Sequence, residues 1–333
     1  MVTIKEIARL ANVSQSTVSK ALNNRPDISE VTRKKIQELA EYYDFSPNAF
    51  GKGLKSRITG NLGVIFCREQ QPLSGNPFYS RVLEGIEGEI AINNYNLILQ
   101  LLSVTHPTVF PKMIREHQVD GLILVGNIRK EFIQLIQNSN TPLIMIDPSY
   151  YNEKCNQILI DNEHGAFTAT SYLISNGHRR IGFISGDLTR LSFRQRFDGY
   201  MKALKFHAIK TDEDLIVTGG EEKGYEHVRQ LLHLRKAPTA IFSANDINAI
   251  LGYNAARDLN YRIPEDISFI GFDDIELAKM VSPPLSTVRV YKEELGSIAI
   301  RMLLKTINSE IQTIQNTVVP VKLVERASVT KID

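Results

Sequence analysis

From Asn61 onward one pattern governs the chain: short apolar runs alternate with longer amphipathic stretches. "LGVIF", "LILQLL", "GLILVG", "LIMID", "RIGFIS", "TAIFSA" and "ISFIGF" are apolar throughout instead of alternating, which marks strands buried on both faces of a parallel sheet. Between them "YSRVLEGIEGEIAINNY", "GAFTATSYLISNG", "FDGYMKALKF" and "INAILGYNAARDLN" carry helical spacing. Strand–helix alternation over about 270 residues predicts doubly wound α/β layers, with room for two lobes.

Composition narrows the class. The 333 residues are 43% hydrophobic and 23% charged, the balance of a globular protein with real cores. The longest apolar runs, such as "LIMI" at 143–146, fall far short of a membrane span. "MVTIKEIARL" carries Lys5, Glu6 and Arg9 and is no secretory signal. Cys67 and Cys155 make no disulfide framework and no metal spacing, so both thiols are expected to be buried in a soluble, cytoplasmic protein.

The net charge of +2 hides an asymmetry. Residues 1–59 hold ten Lys or Arg against six Asp or Glu, an excess of four that leaves the remaining 274 residues at −2. A basic head on a slightly acidic body points to a polyanion partner for the head. Thr3 with Glu6 reads as a capping box, and Ile4, Ile7, Ala8 and Ala11 form the apolar face of a first helix. "ANVS" turns the chain at Asn12, with Val13 as an apolar plug, and Ser14 caps a second helix, "QSTVSKAL". Ser29 caps a third, whose buried face is expected to be Val31, Ile36, Leu39, Ala40 and Tyr43. Two short helices across a tight turn make a helix-turn-helix whose second helix suits a major groove. That helix has no acid of its own. Gln15 matches adenine, Lys20 can donate to guanine O6 and N7, and the Thr17 methyl can meet thymine.

"VTIKEIARLANVSQSTVSKALN" followed by "TRKKIQELAEYYDFSPNA" resembles the N-terminal signature of the lactose repressor family of bacterial transcription regulators. The resemblance continues through "NPFYSRVLEGIE", "VDGLIL", "DNEHGAFTATSYLISNGHRRIGFISG", "PTAIFSANDINAILGYNAARDL", "IPEDISFIGFDD" and "SPPLSTVRVYKEELG", essentially the whole chain. It implies a periplasmic-binding-protein-like body: two α/β lobes joined by crossing strands, with an effector cleft between them. It implies a helix-turn-helix head over 1–45, a hinge over 46–59 and an effector-binding and dimerisation body over 60–333. Within the body, one lobe would take about 60–159 with 292–318, the other about 161–289 with 322–333. By the same resemblance Gln15, Ser16 and Lys20 read bases, while Thr3, Thr17, Ser19 and Asn23 position phosphates. The family usually has arginine where Lys20 stands, and lysine lacks the planar fork of guanidinium. No leucine-repeat tail follows, so the expected assembly is a homodimer on a near-palindromic operator.

Candidate cleft residues cluster at the carboxyl ends of the apolar runs, where open α/β sheets bind ligands. Asp147 ends "LIMID", Arg196 lies in "SFRQRFDGY" read as a loop entering a helix, Asn245 ends "TAIFSAND", and Phe272 and Asp273 end "ISFIGFDD". Together they offer acceptors, a forked donor, an amide and an aromatic platform, suited to a polyhydroxylated small molecule. The resemblance implies inducer contacts at Arg196, Asn245 and Asp273, with Pro77 and Phe78 lining the other lobe. Asp246 and Asp274 can equally cap helices. "DNEHGAF" at 161–167 bundles possible metal ligands but reads as an acidic helix start, and His178 reads as structural. No HExxH, GxSxG or Cys–His pairing appears, and "GKGLKS" fails the phosphate-loop pattern because Ser46 stands where glycine is needed. No cofactor, metal or catalytic site is expected. The reading is a sugar-controlled repressor of a carbohydrate operon. Its alternatives are a catabolite-control regulator that uses a phosphorylated carrier protein, and a sugar-binding protein or enzyme on the same body.

"SPNAFGKGLKSR", residues 46–57, would be the hinge. Each interior glycine costs a helix about 1 kcal/mol relative to alanine, so Gly51 and Gly53 make a helix that orders only over DNA. Leu54 is then the minor-groove wedge, and Asn48, Ala49, Lys52, Lys55 and Arg57 lie along the duplex.

Overall fold

The computed structural model describes residues 2–22, 24–43, 45, 58–68, 73–103, 109–220, 222–311 and 313–332. The chain divides into two compact units, a small N-terminal head and a body that takes most of 61–333.

In the head, α1 (Ile4–Ala11), α2 (Gln15–Leu22) and α3 (Glu30–Tyr42) close on Ile7, Ala8, Ala11, Val18, Ala21 and Ile36. The Thr3–Glu6 capping box starts α1, and Asn12 at φ 58° ends it in the left-handed region. The Ser14 hydroxyl accepts from the Thr17 amide at 3.1 Å and starts α2. Two expectations for α3 fail: Val31 is 82% exposed and Tyr43 39% exposed. At 100° per residue Val31 lies about 140° around the helix from Ile36, and Tyr43 stands past the last turn.

The body is α/β as the apolar runs predict. One sheet, in the order β11-β5-β4-β3-β1-β2, is wholly parallel: β1 (Asn61–Arg68), β2 (Asn96–Ser103), β3 (Gly121–Val125), β4 (Leu143–Ile146), β5 (Asn156–Ile160) and β11 (Asn316–Val319). A second parallel sheet, β7-β6-β8-β9, uses β6 (Ile181–Ser185), β7 (Ile216–Thr218), β8 (Ala240–Ser243) and β9 (Ser268–Ile270). β10 (Thr287–Arg289) and β12 (Lys322–Val324) pair antiparallel. Covering helices are α4 (Tyr79–Ile92), α5 (Lys112–Arg115), α6 (Lys130–Gln137), α7 (Asn162–Ser175), α8 (Leu191–Phe206), α9 (Gly224–Leu232), α10 (Asp246–Asp258), α11 (Leu277–Met280) and α12 (Lys292–Ile307). With β10 bridged to the second sheet at Ile270–Ser286 and Asp273–Arg289, the chain passes between the two halves after β5, β10 and β11. One core runs through both, from Leu62 and Ile123 to Phe183 and Phe242. Cys155 is buried as expected, whereas Cys67 is only half-buried.

Helices α4 and α12 touch backbone to backbone. A methyl at Gly85 would stand 1.9 Å from the Glu293 carbonyl oxygen, and one at Gly296 would stand 2.4 Å from that of Val82. Neither obstacle is a flexible side chain, so the helices themselves must part. Gly85→Ala should lower unfolding free energy by about 1–3 kcal/mol, the usual cost of overpacking. Urea titration followed by circular dichroism checks this; unchanged stability would contradict the close approach.

Candidate functional site

On α2, Gln15, Ser16, Ser19 and Lys20 are exposed, while Val18 and Ala21 hold the helix to the head's core. Thr17 is half-buried and its hydroxyl lies 2.9 Å from that of Ser14, which ties it to the cap. Thr3 is likewise engaged with Glu6, its amide donating at 2.8 Å and its hydroxyl at 3.0 Å. Asn23, Asn48, Ala49, Lys52, Leu54, Lys55 and Arg57 lie outside the described residues. The absence of acid on α2 itself holds, but the loop beyond it supplies one: Asp27 Oδ2 accepts from Lys20 Nζ at 2.6 Å.

In the body, the carboxyl ends of the two sheets approach each other: burial raises the pKa of Asp273, just past β9, and Asp147, just past β4, is near enough to help. Each sheet reverses its strand order there, between β1 and β3 and between β6 and β8. Arg196 is buried and fully engaged. Its Nε donates to Asn162 Oδ1 at 2.8 Å and its Nη1 to the Ala244 carbonyl at 2.5 Å. Its guanidinium stacks 3.8 Å from the Phe272 ring centroid. Nη2 forms an ion pair with Asp273 Oδ1 at 3.0 Å, yet that buried oxygen receives no well-aligned hydrogen bond. On the facing lobe, Pro77 and Phe78 are half-buried at the start of α4, and the Tyr79 hydroxyl donates to Asp147 Oδ2 at 3.2 Å. The two lobes touch where the Leu191 amide donates to the Ser149 carbonyl at 2.9 Å.

Three expectations change. Arg196 lies within α8, because the helix begins at Leu191, whose amide is taken by Ser149. Phe272 is fully buried with a face covered by Arg196, so it supports the guanidinium and is no open platform for a ligand. Asn245, not Asp246, caps α10, its Oδ1 accepting from the Asn248 amide at 2.9 Å. Asp246 instead bridges away from its helix, to the Thr287 hydroxyl at 2.5 Å and the Ile275 amide at 2.9 Å. Asp274 caps nothing: it accepts from Arg289 Nε at 2.6 Å and Arg326 Nη2 at 2.5 Å. The expected roles of "DNEHGAF" and His178 stand. Glu163 sits in the first turn of α7, and His178 is buried between Thr239 Oγ1 at 3.0 Å and the Thr330 carbonyl at 3.1 Å. Among the described residues no cluster of metal-binding side chains occurs.

Lys292 escaped the sequence reading altogether. From the first turn of α12 its buried ammonium donates to the carbonyls of Asp273 at 2.5 Å, Asp274 at 3.1 Å and Val290 at 3.2 Å. Three N–H donors thus meet three acceptors. A lysine in an amphipathic first turn gives no sign of burial, so only the alternation breaking at "VYKEE" could have flagged it. Burial pushes its pKa down, opposed chiefly by the Asp273 carboxylate. Burial raises Asp273 despite Arg196 and Lys292. Against the same burial cost, the hydrogen bonds of Arg326 and Arg289 hold Asp274 below its ordinary value.

A helix-turn-helix head with a two-lobed ligand-binding body defines a DNA-binding regulator that answers to a small molecule. Residues 3–48 match the model of bacterial regulatory proteins of the lacI family, and 170–329 match the periplasmic binding protein-like domain. The chain is 33% identical to the ribose operon repressor of Haemophilus influenzae over 99% of both chains. It is 36% identical to the probable transcriptional repressor ExuR of Bacillus subtilis over 92% of both. Its fold is similar to that of the lac repressor dimer bound to operator and the anti-inducer ONPF, with TM-score 0.83, 23% identity and 99% coverage of each chain. It is also similar to a LacI family regulator from Enterococcus faecium with bound ribose, with TM-score 0.72 and 26% identity, covering 82% of this chain and 100% of that one. This chain belongs to the lacI family of bacterial transcriptional regulators. The named relatives are transcriptional repressors, not enzymes. No helix among the described residues is long and apolar enough to cross a membrane.

Burial, with the neighbouring Asp273 carboxylate next, pushes Asp246 from 3.8 up to about 8. The protonated carboxyl keeps both contacts, because the Thr287 hydroxyl can exchange donor and acceptor roles. Over pH 4 to 8 the folded chain therefore holds a proton that the unfolded chain has released. The stability this confers is full below about pH 4 and lost as pH rises through about 8. Asp246→Asn, which preserves both hydrogen bonds without titrating, should flatten the decline of stability between pH 5 and pH 8 in denaturant titrations. A wild-type slope in the variant would contradict the assignment.

Proposed function

We propose that this chain is a cytoplasmic homodimeric repressor of a carbohydrate-utilisation operon, released or engaged by a sugar or sugar derivative held between its lobes. In this reading residues 1–45 are the DNA-binding domain, 46–59 the hinge, and 60–333 the effector-binding and dimerisation domain, its lobes divided at the three crossovers. Gln15, Ser16 and Lys20 read a near-palindromic operator, while Thr3, Thr17, Ser19 and Asn23 lie along phosphates with Asn48, Ala49, Lys52 and Lys55. Pro77, Phe78, Asp147, Arg196, Asn245 and Asp273 contact the effector, and Phe272 backs Arg196.

One arrangement supports the effector class: the Asp273 carboxyl, ion-paired with Arg196 at 3.0 Å, stands just past the end of β9 in the second sheet, where open α/β sheets bind ligands. Asp147 across the cleft adds a second carboxylate, which is the equipment for a polyol. Two similar proteins have a sugar in their names, one a ribose operon repressor and one holding ribose, while others are named PurR. Thermal-shift measurements on the full chain with pentoses, hexoses, disaccharides and uronic acids test this. A sugar should raise the melting temperature, and Asp273→Asn should weaken it about tenfold or more, since hydrogen bonds to charged groups contribute about 1.5–3 kcal/mol. Stabilisation by nucleobases alone would exclude a sugar.

Leu54 is proposed as the wedge that opens the central operator step. Leu54→Ala should weaken operator binding and reduce DNA bending in circular-permutation gels while sugar affinity stays unchanged; undiminished bending would exclude the wedge.

A further inference from the structure

Lys20 is the one basic side chain on α2, and the structure supplies it with a partner from outside that helix. The loop that carries Asp27 is built to reach it. The Arg25 amide folds back onto the Lys20 carbonyl at 3.0 Å, and the Ile28 amide donates to Arg25 at 3.4 Å. From α3, Arg33 Nη2 holds the Arg25 and Ile28 carbonyls at 2.9 and 3.1 Å. Pro26 fixes one backbone dihedral between these anchors. Asp27 is not needed to start α3, because Ser29 Oγ already accepts from the Thr32 amide at 3.3 Å. The Lys20 hydrogen bond, with the ammonium's charge, holds the Asp27 carboxyl below its ordinary value, so it is ionised at neutral pH.

We propose that Asp27 is a specificity-determining residue of the DNA-reading head. It cancels the charge of Lys20 toward the phosphate backbone while leaving two ammonium N–H donors for a base edge. The proposal rests on α2 being the helix that enters the major groove. A free lysine gains on any sequence, because every phosphate it neutralises releases a counterion. A neutral Lys20–Asp27 pair gains little that way. Its donors are rewarded only where O6 and N7 of a guanine line up to receive them. The carboxylate also orients an ammonium that has no planar fork of its own, and so does part of what an arginine does by shape.

Selection from a random duplex library, followed by binding to the selected operator and to a random duplex at about 50 to 200 mM salt, tests this on the full chain. Asp27→Asn should bind random DNA several-fold more tightly at low salt. Its salt slope should steepen by about 0.9, so the advantage shrinks about threefold across that range. Its selected motif should lose preference at one base pair in each half-site. Asp27→Glu, which keeps the carboxylate, should behave as wild type. An Asp27→Asn protein with wild-type affinity for random DNA, wild-type slope and wild-type motif overturns the proposal. A wild-type protein that selects no motif overturns the placement of α2 itself, and is told apart by that result.

Discussion

A buried ammonium must replace its water with protein acceptors, and the three that Lys292 finds decide how this body is joined. Removing an ion from water costs several kcal/mol even after relaxation, so burial persists only with full satisfaction and nearby countercharge. Lys292 has both, in three carbonyls and the neighbouring carboxylates of Asp273 and Asp274. The lysine belongs to α12, which packs on the first sheet, and two of its carbonyls belong to the loop after β9 of the second. That loop needs holding. Asp273 at φ 113° and Asp274 at φ 52° are consecutive non-glycine residues in the left-handed region, at a cost of about 1–3 kcal/mol each. Lys292 grips their carbonyls, Asp246 the following amide, and two arginines the Asp274 side chain.

Local chemistry made much of this legible. The Thr3–Glu6 box, the turn at Asn12 and the cap at Ser14 depend on neighbours within four residues, and the sequence shows them. The long apolar strands were legible because burial on both faces leaves no polar alternation. The short β7 and β10, at three residues each, have too few positions for any period to show. The ends of runs pointed to Asn245 and Asp273, since ligands sit at carboxyl ends of parallel strands, whereas Arg196 was pointed to by the family resemblance. What stayed hidden was long-range pairing. Nothing around Asn162 announces that it will orient a guanidinium 34 positions away, or around Asp246 that it will bond Thr287 across 41. Capping was the local guess for Asp246 and Asp274. Tertiary partners overrode it because both carboxylates are buried and burial demands stronger donors than a helix end supplies.

The same contrast separates head from body. The head reads as three capped helices around a few small apolar residues, and its unforeseen side-chain pair, Lys20–Asp27, spans only seven positions. In the body, the unforeseen partners of Lys292, Asp246 and Asp274 all bear on one loop. Evolution has freedom to change operator preference by exchanging exposed side chains on α2. It has little freedom at the loop, where each side chain serves a partner on another element.

Under the proposed function, that arrangement gives occupancy of the cleft a route to the connections between lobes. A ligand shifts a conformational equilibrium only by its difference in affinity for the two states. Such a difference arises where a contact residue cannot move alone. Asp273 cannot: its amide bonds the Val288 carbonyl in β10, and its neighbour Asp274 is held by Arg289 at the end of β10 and by Arg326 just after β12. Those strands adjoin two of the three crossings between the sheets. If the effector contacts Asp273 as proposed, its hydroxyl acts on the crossings through covalent and hydrogen-bonded neighbours, over a few residues, with no path through either core. The second carboxylate, Asp147, stands on the facing lobe, so one bound molecule that reaches both ties the crossing strands to the degree of closure.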